Sequence, residues 1–233
     1  MVTDANTEPT TDKTGPTGAG AASSALPASL RESKKQETRQ LISDVATGLF
    51  LDRGFEQTTI AEIAAAARVA KKTVTNYFPR KEDLALDHQD VFTASLAATV
   101  ADRRPGESAL TALRRAFADA VGNVDPVAGF SGPGFARMVA DSPTLSARLR
   151  DLHDLREAAL ADALADATGA PRGDITPRTA AALLGAVHRT LFQRIQELTL
   201  AGQDNARISA TVAAESDSAF DLLEPSLAEY AAV

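Results

Sequence analysis

Lys71, Lys72, Thr73, Thr75, Asn76 and Tyr77 crowd into the short run KKTVTNY. Ammonium groups of this kind reach phosphates, and short hydroxyl and amide side chains can read base edges. This is the chemistry of recognition rather than of bond-making. Helical spacing sets Val74 apart from the lysines, Thr73 and Asn76. With Val69, it is suited to plug the gap against a second helix.

That second helix is written just upstream. Thr59 and Glu62 form the pattern T-x-x-E, a capping box that marks a helix start. Ile60, Ile63, Ala64 and Ala67 follow as an apolar stripe at spacings of three and four. The alanines let two helices approach closely. Residues 58–78 therefore predict a helix-turn-helix whose second helix is shaped for a DNA major groove. The competing reading is an ordinary helical hairpin with a solvated polar face.

Other candidate chemistry is thin. His153 and Glu157 lie four apart, but no H-E-x-x-H and no third clustered ligand accompanies them. No metal and no cofactor is expected. Asp151, His153, Asp154, Arg156 and Glu157 read as a solvated helix face laced with ion pairs, and His188 as a packed or interface residue. The chain has no Cys to act as nucleophile and no G-x-S-x-G. The glycines of VDPVAGFSGPGF follow no strand and precede no G-K-[ST], so they are not a phosphate loop. An enzyme is not expected.

Length and charge bound the rest. The 233 residues are 44% apolar, enough for a sizeable core in one large or two small domains. The absence of Cys fits a reducing cytoplasm. No apolar run approaches the ~18 residues of a membrane span, and no signal peptide is expected at the N-terminus. Net charge is −7, which argues against indiscriminate nucleic-acid binding. It divides as −2 over residues 1–30, +1 over 31–88 and −6 over 89–233. The one stretch that is not acidic holds the helix-turn-helix.

The remaining elements read as helices. Residues 1–29, rich in Thr, Ala, Gly, Pro and Ser, predict a disordered tail. A helix begins about Ser33 and stops at Gly54, with Leu41, Val45 and Leu49, and Ile42, Ala46 and Phe50, repeating at four. Lys34, Lys35 and Arg39 on its first turns could touch phosphates or simply be solvated. Pro79 stops the helix of the KKTVTNY run. One long helix is then expected from the acidic pair Glu82 and Asp83 to about Arg103, with Leu84, Val91, Phe92, Leu96 and Val100 on one face. Further helices are expected over about 107–123, in a short piece to about Ala140, over about 143–168, over about 176–201, and from Asn205 to about Tyr230 with a break near Pro225. No strand pattern or internal repeat is visible. The fold class is all-α, in three parts: a tail to about residue 30, a DNA-binding head over 31–80 and a helical body over 81–233.

Residues 37–88 resemble the DNA-binding head of the TetR family of bacterial transcriptional regulators. LISDVATGLFLDRGFEQTTIAEIAAAARVAKKTVTNYF and PRKEDL carry the likeness. The combination of GF, TT-x-x-x-IA, V-x-K-x-T-x-x-x-YF and KE-x-L is specific. Three positions depart from the family pattern. Arg68 stands where the turn commonly has Gly, Ala70 where Ser or Thr caps the recognition helix, and Arg80 where Ser or Asn caps the next helix. A left-handed backbone at Arg68 would cost on the order of 1 kcal/mol.

The resemblance implies a ligand-responsive regulator. It would most commonly be a repressor, binding a palindromic operator as a homodimer and released by a small hydrophobic effector. An activator of the same family, or a helical ligand-sensing or interaction module without DNA activity, are the alternatives. Two heads on a dyad would read half-sites ~34–36 Å apart. Lys71, Tyr77 and Lys81 should meet phosphates, Thr58 and Thr59 should approach them at a helix start, and Lys72, Thr73, Thr75 and Asn76 should face bases. The last two long helices are candidates for the dimer contact, through Ala182, Ala186, Thr190 and Leu191 on one and Ile208, Val212, Ala219 and Leu223 on the other. The middle helices are expected to enclose an effector cavity, with Phe92, Phe117, Phe130, Phe135, Met138, His153, His188 and Phe192 as candidate lining.

Overall fold

A computed structural model describes the backbone of residues 25–232 and the side chains of residues 30–232. Most of the expected tail lies outside the described residues. The chain forms two compact units, residues 1–40 and residues 41–233. The described part of the first unit is helical and solvent-facing, with a Glu32–Lys35 ion pair at 3.8 Å.

The first helix, α1, spans Ala25–Arg53 and so starts eight residues before the expected Ser33. Gly54 ends it as expected, at φ +88°, a conformation glycine adopts without strain. Ile42, Ala46 and Phe50 are buried along its second half. Helices α2 (Ile60–Ala66) and α3 (Lys71–Tyr77) follow. The capping box at Thr59 and Glu62 is formed in both directions, with Glu62 N donating to Thr59 Oγ1 and Thr59 N to Glu62 Oε2.

The expected single helix from residue 82 to 103 is two helices. The short α4 (Glu82–Ala85) is followed, after a break at Leu86–His88, by α5 (Gln89–Ala101). The cause is packing. Asp83, Leu84, Ala85 and Leu86 are all buried, and four adjacent residues cannot share one face of a continuous helix. Val91, expected on the inner face, is exposed.

The body continues with α6 (Ala109–Gly122), a 3-10 turn at Pro126–Ala128, α7 (Gly132–Asp141), α8 (Pro143–Thr168) and α9 (Thr176–Leu200). Its boundaries are chemical. Ser108, Ser142 and Asp204 cap helix starts, accepting from the backbone N–H three residues on. Gly169, left-handed at φ +60°, closes α8. The last expected helix breaks close to Pro225, as expected, into α10 (Asn205–Asp221) and α11 (Glu224–Leu227). Arg114 on α6 holds that break, pairing with Asp217, Asp221 and Glu224.

Helix α8 runs through the middle, packed against α5 on one side and α9 on the other, with α10 against α6 and α9. Two apolar clusters result. One fills the body between α5, α6, α8, α9 and α10. The other starts in the head at Ile42, Phe50, Ile63, Val74 and Phe78 and runs into the body at Phe92, Met138, Leu145, Leu152 and Phe192. Head and body therefore share a core within residues 41–233. Two polar ties reinforce it: Ser142 Oγ donates to Glu56 Oε1 at 2.5 Å, and Arg148 lies 3.5 Å from Asp83. Gly129, after the 3-10 turn, has φ +126°, and a Cβ there would meet the Phe192 carbonyl at 3.1 Å and Ile195 at 3.2 Å. Gln196 Nε2 donates to the Gly129 carbonyl and, at 3.1 Å, to Ser131 Oγ. No helix among the described residues is long and apolar enough to cross a membrane.

Candidate functional site

The turn between α2 and α3 is a Schellman motif: Val69 N donates to Ala64 O at 3.0 Å and Arg68 N to Ala65 O at 3.2 Å. Arg68 takes the left-handed position, at φ 56°, where glycine carries no steric cost. Ala70 is the N-cap of α3 and supplies no side-chain bond, so the first N–H groups of α3 lack the usual cap. Val74 is completely buried and fixes the rotation of α3 against α2. That rotation turns Lys71, Lys72, Thr75 and Asn76 outward and leaves Thr73 and Tyr77 half-buried. Neither lysine forms an ion pair among the described residues. Thr75 Oγ1 donates to the Lys72 carbonyl at 3.1 Å and keeps its lone pairs outward.

Two expected DNA contacts are corrected by their surroundings. Thr58 is buried, and its hydroxyl donates to Gly54 O at 2.9 Å, so its side chain closes the turn after α1 rather than approaching phosphate. Lys81 is turned inward: Nζ donates to Phe55 O at 2.8 Å and Thr58 O at 3.1 Å, and lies 4.1 Å from the centre of the Phe55 ring. It ties the start of α4 to the loop before α2. Thr59 stays exposed at the start of α2.

Below the head lie two cavities. The larger holds about 460 Å³ and is bounded by Thr47 of α1, the α4–α5 break from Ala85 to Gln89, Phe92, Phe135, Leu149, Leu152 and Phe192. Its size falls in the range of small-molecule sites. The smaller, about 160 Å³, is walled by Ser95, Thr99, Phe117, Asp125, Arg156 and His188, among others. Asp125 and Val127 border both. Of the expected lining, Phe92, Phe135 and Phe192 reach the larger cavity, and Phe117 and His188 the smaller. Phe130, Met138 and His153 reach neither and are buried core. His153 stands directly behind the wall, edge-on to Phe92 at 5.0 Å and to Phe192 at 5.1 Å.

The expected solvated face of α8 is half wrong. Asp151 and Asp154 are exposed, and Asp154 and Glu157 pair with Arg189 of α9 at 3.0 and 3.5 Å. His153 and Arg156 are instead buried. Burial, with Arg156 adding to it, pushes His153 down to about 4, and burial, with Arg156 and His153 adding to it, pushes His188 well below the usual histidine range. Both imidazoles are neutral at physiological pH. Burial also lowers Arg156, to about 10, which leaves it charged. One signal could have exposed Arg156: it occupies the stripe between Leu152 and Leu160, four residues from each.

On the far side of the body, Ala182, Ala186 and Thr190 of α9 face outward, with Leu183 beside them. Ala219 and Leu223 are half-buried. Leu191, Ile208 and Val212 are core of the chain's own body and leave the expected dimer face. Leu222, at the end of α10, is 81% exposed.

The sequence profile of the bacterial regulatory proteins of the tetR family matches residues 42–87, from the buried half of α1 through α4. The HTH-type transcriptional regulator TcmR of Streptomyces glaucescens is 31% identical over 168 residues, covering 70% of this chain and 74% of that protein. The chain belongs to the TetR family. It is a DNA-binding transcriptional regulator, all-α, with its helix-turn-helix at the N-terminal end of a helical body. Solved structures share the fold. Native NalD, the secondary repressor of the MexAB-OprM multidrug efflux pump in Pseudomonas aeruginosa, is 18% identical with a TM-score of 0.51, over 79% of this chain and 97% of that one. Salmonella enterica GusR is 18% identical with a TM-score of 0.50, over 89% and 99%. In this TetR-family chain α3 is the second helix of the helix-turn-helix, and Lys71 and Lys72 head it.

Proposed function

We propose that this chain is a repressor that holds a palindromic operator as a homodimer and lets go when a small hydrophobic molecule fills the larger cavity. Residues 31–80 serve as the head and 81–233 as the effector-binding and dimerisation body, working in the cytoplasm where the DNA is. Lys71 and Tyr77 meet phosphates, and Thr59 approaches one from the start of α2. Lys72, Thr73, Thr75 and Asn76 read base edges. Pairing runs through the outward faces of α9 and α10, at Ala182, Ala186, Thr190 and Leu222.

One observation carries the release reading. The α4–α5 break, immediately beyond the head, forms a wall of the larger cavity. An occupant there presses on the joint between head and body. It can shift the heads only if it binds the released arrangement more tightly than the DNA-bound one, and the joint offers that difference.

The test is a mobility shift on DNA upstream of the chain's own gene or a neighbouring one. A retarded band that Lys71→Ala with Lys72→Ala abolishes, and that a hit from a thermal-shift screen of hydrophobic compounds dissolves, supports the proposal. Retardation that the double variant leaves unchanged defeats the assignment of α3. Hits that stabilise the protein yet leave the band in place defeat release.

A further inference from the structure

Arg156 is an anomaly in the body. It is buried on α8 against α5, yet no carboxylate lies within ion-pair distance of it among the described residues. Its Nε donates to Ser95 Oγ at 2.9 Å, and the face of its guanidinium lies 4.5 Å from the centre of the Phe92 ring. Those two contacts use one of five N–H donors. The other four find no acceptor in the chain among the described residues. A buried cation left in this state is costly unless something supplies the missing acceptors. The smaller cavity is where they open.

The surroundings agree. His188 Nε2, in the wall of the same cavity, is buried and has no hydrogen-bond partner. Its ring is held edge-on by Phe117 at 5.6 Å and Phe220 at 5.5 Å, so the nitrogen cannot swing away to find one. Thr99 adds a hydroxyl to the wall, although its own proton goes to the Ser95 carbonyl at 3.0 Å. One carboxylate stands nearby. Asp125 borders both cavities, but its Oδ1 accepts from Val127 N at 2.8 Å and caps the 3-10 turn. Its charge steadies Arg156 from a distance without meeting the guanidinium.

We propose that the effector of this protein is an aromatic acid, whose rings lie against Phe92, Phe135 and Phe192 in the larger cavity and whose carboxylate or equally acidic oxygen reaches past Val127 to the Arg156 guanidinium. The proposal rests on the larger cavity being the effector site, as argued above. It adds the chemical class. The fork of Arg156 matches two oxygens at once, which a neutral hydrocarbon or an ester cannot offer as an anion. Phe92 is shared by the two halves: one face carries the cation and the ring also lines the larger cavity. About 160 Å³ is space for roughly five water molecules at liquid density, ample for a carboxylate and the carbon that bears it.

The experiment is calorimetric titration of the full chain with benzoic, 2-naphthoic and anthracene-2-carboxylic acids, each beside its methyl ester, at pH 7.5. At least one acid should bind tenfold or more tightly than its ester. Arg156→Gln should erase that preference while leaving the ester's affinity within threefold. Ser95→Ala, which keeps the cation, should retain it. If Arg156→Gln does not fold, the acid–ester comparison on the unmodified chain decides alone. The proposal is overturned if no acid outbinds its ester, or if the preference survives in Arg156→Gln. The mobility shift separates this outcome from failure of the release reading. Acids that bind through Arg156 yet leave DNA bound keep the chemical class and sink release; esters that release DNA as well as acids do the reverse.

Discussion

The head and the body each hold cations without carboxylate partners, and the contrast between them is instructive. Lys71 and Lys72 sit at the exposed start of α3, where water solvates them fully and the lack of a partner costs nothing. They are ready for a polyanion, and the free energy of that contact depends on salt because counterions leave the DNA. Arg156 is buried inside the body, with one hydrogen bond and a ring for company. The same lack of a partner is there a standing cost. The surface sets cations where any phosphate can find them; the interior sets one where only a molecule of fitting shape can.

Five measurements break or sharpen that contrast. The largest effect is expected from Lys71→Ala with Lys72→Ala, which should weaken DNA binding by about 3 kcal/mol and lower the salt slope by about one, through Lys71, with the melting temperature unmoved. An unchanged slope would mean that Lys71 does not meet a phosphate. Next, Arg156→Met should raise the stability of the ligand-free chain by about 2 kcal/mol in urea unfolding, since it removes an unmatched buried charge. A loss of stability would show that the cation is already matched inside the fold.

The same variant bears on pH. Folded His153 takes its proton only near 4, whereas the unfolded chain takes it near 6.5. The unfolded state therefore gains protons first as pH falls. Stability should drop between pH 6.5 and 4, by up to about 1.4 kcal/mol per pH unit for each such histidine. Arg156→Met should soften the drop, because the neighbouring cation is part of what holds His153 down. Unfolding curves across that window check it. The smallest effects lie in the head. Lys81→Met should cost about 1–2 kcal/mol of stability through its two carbonyl bonds and leave the salt slope alone, while Arg68→Gly should add about 1 kcal/mol by relieving the left-handed turn. A fallen salt slope in Lys81→Met would restore it to the phosphate contacts.

What could be read from the sequence follows the same divide. The head is governed by local rules: the Thr59–Glu62 box, the stop at Gly54, the end of α3 before Pro79. All are visible in the letters and all are formed. Helices α8 and α9 were legible for the same reason, being closed by Ser142–Pro143, Gly169 and Thr176–Pro177. The break between α4 and α5 was not, because the apolar repeat from Leu84 to Val100 carries straight through it. Only the neighbours that bury Asp83, Leu84, Ala85 and Leu86 together require the chain to turn. Lys81 was misread in a similar way: its charge suggested phosphate, and its place beside Phe55 could not be seen before the fold existed. Arg156 was hidden by its company. Asp151, Asp154 and Glu157 made the whole segment look wet, although the residue itself keeps the rhythm of the leucines.

Gly129 has a consequence for how such a protein can diversify. Its backbone is wedged under α9, with no room for a methyl group and with its carbonyl held by Gln196. The strip that carries Asp125 and Val127, which borders both chambers, is therefore nailed in place. New specificities would have to be carved from the opposite rim, where exposed Val91 and half-buried Phe135 and Leu149 can be exchanged without disturbing that anchor.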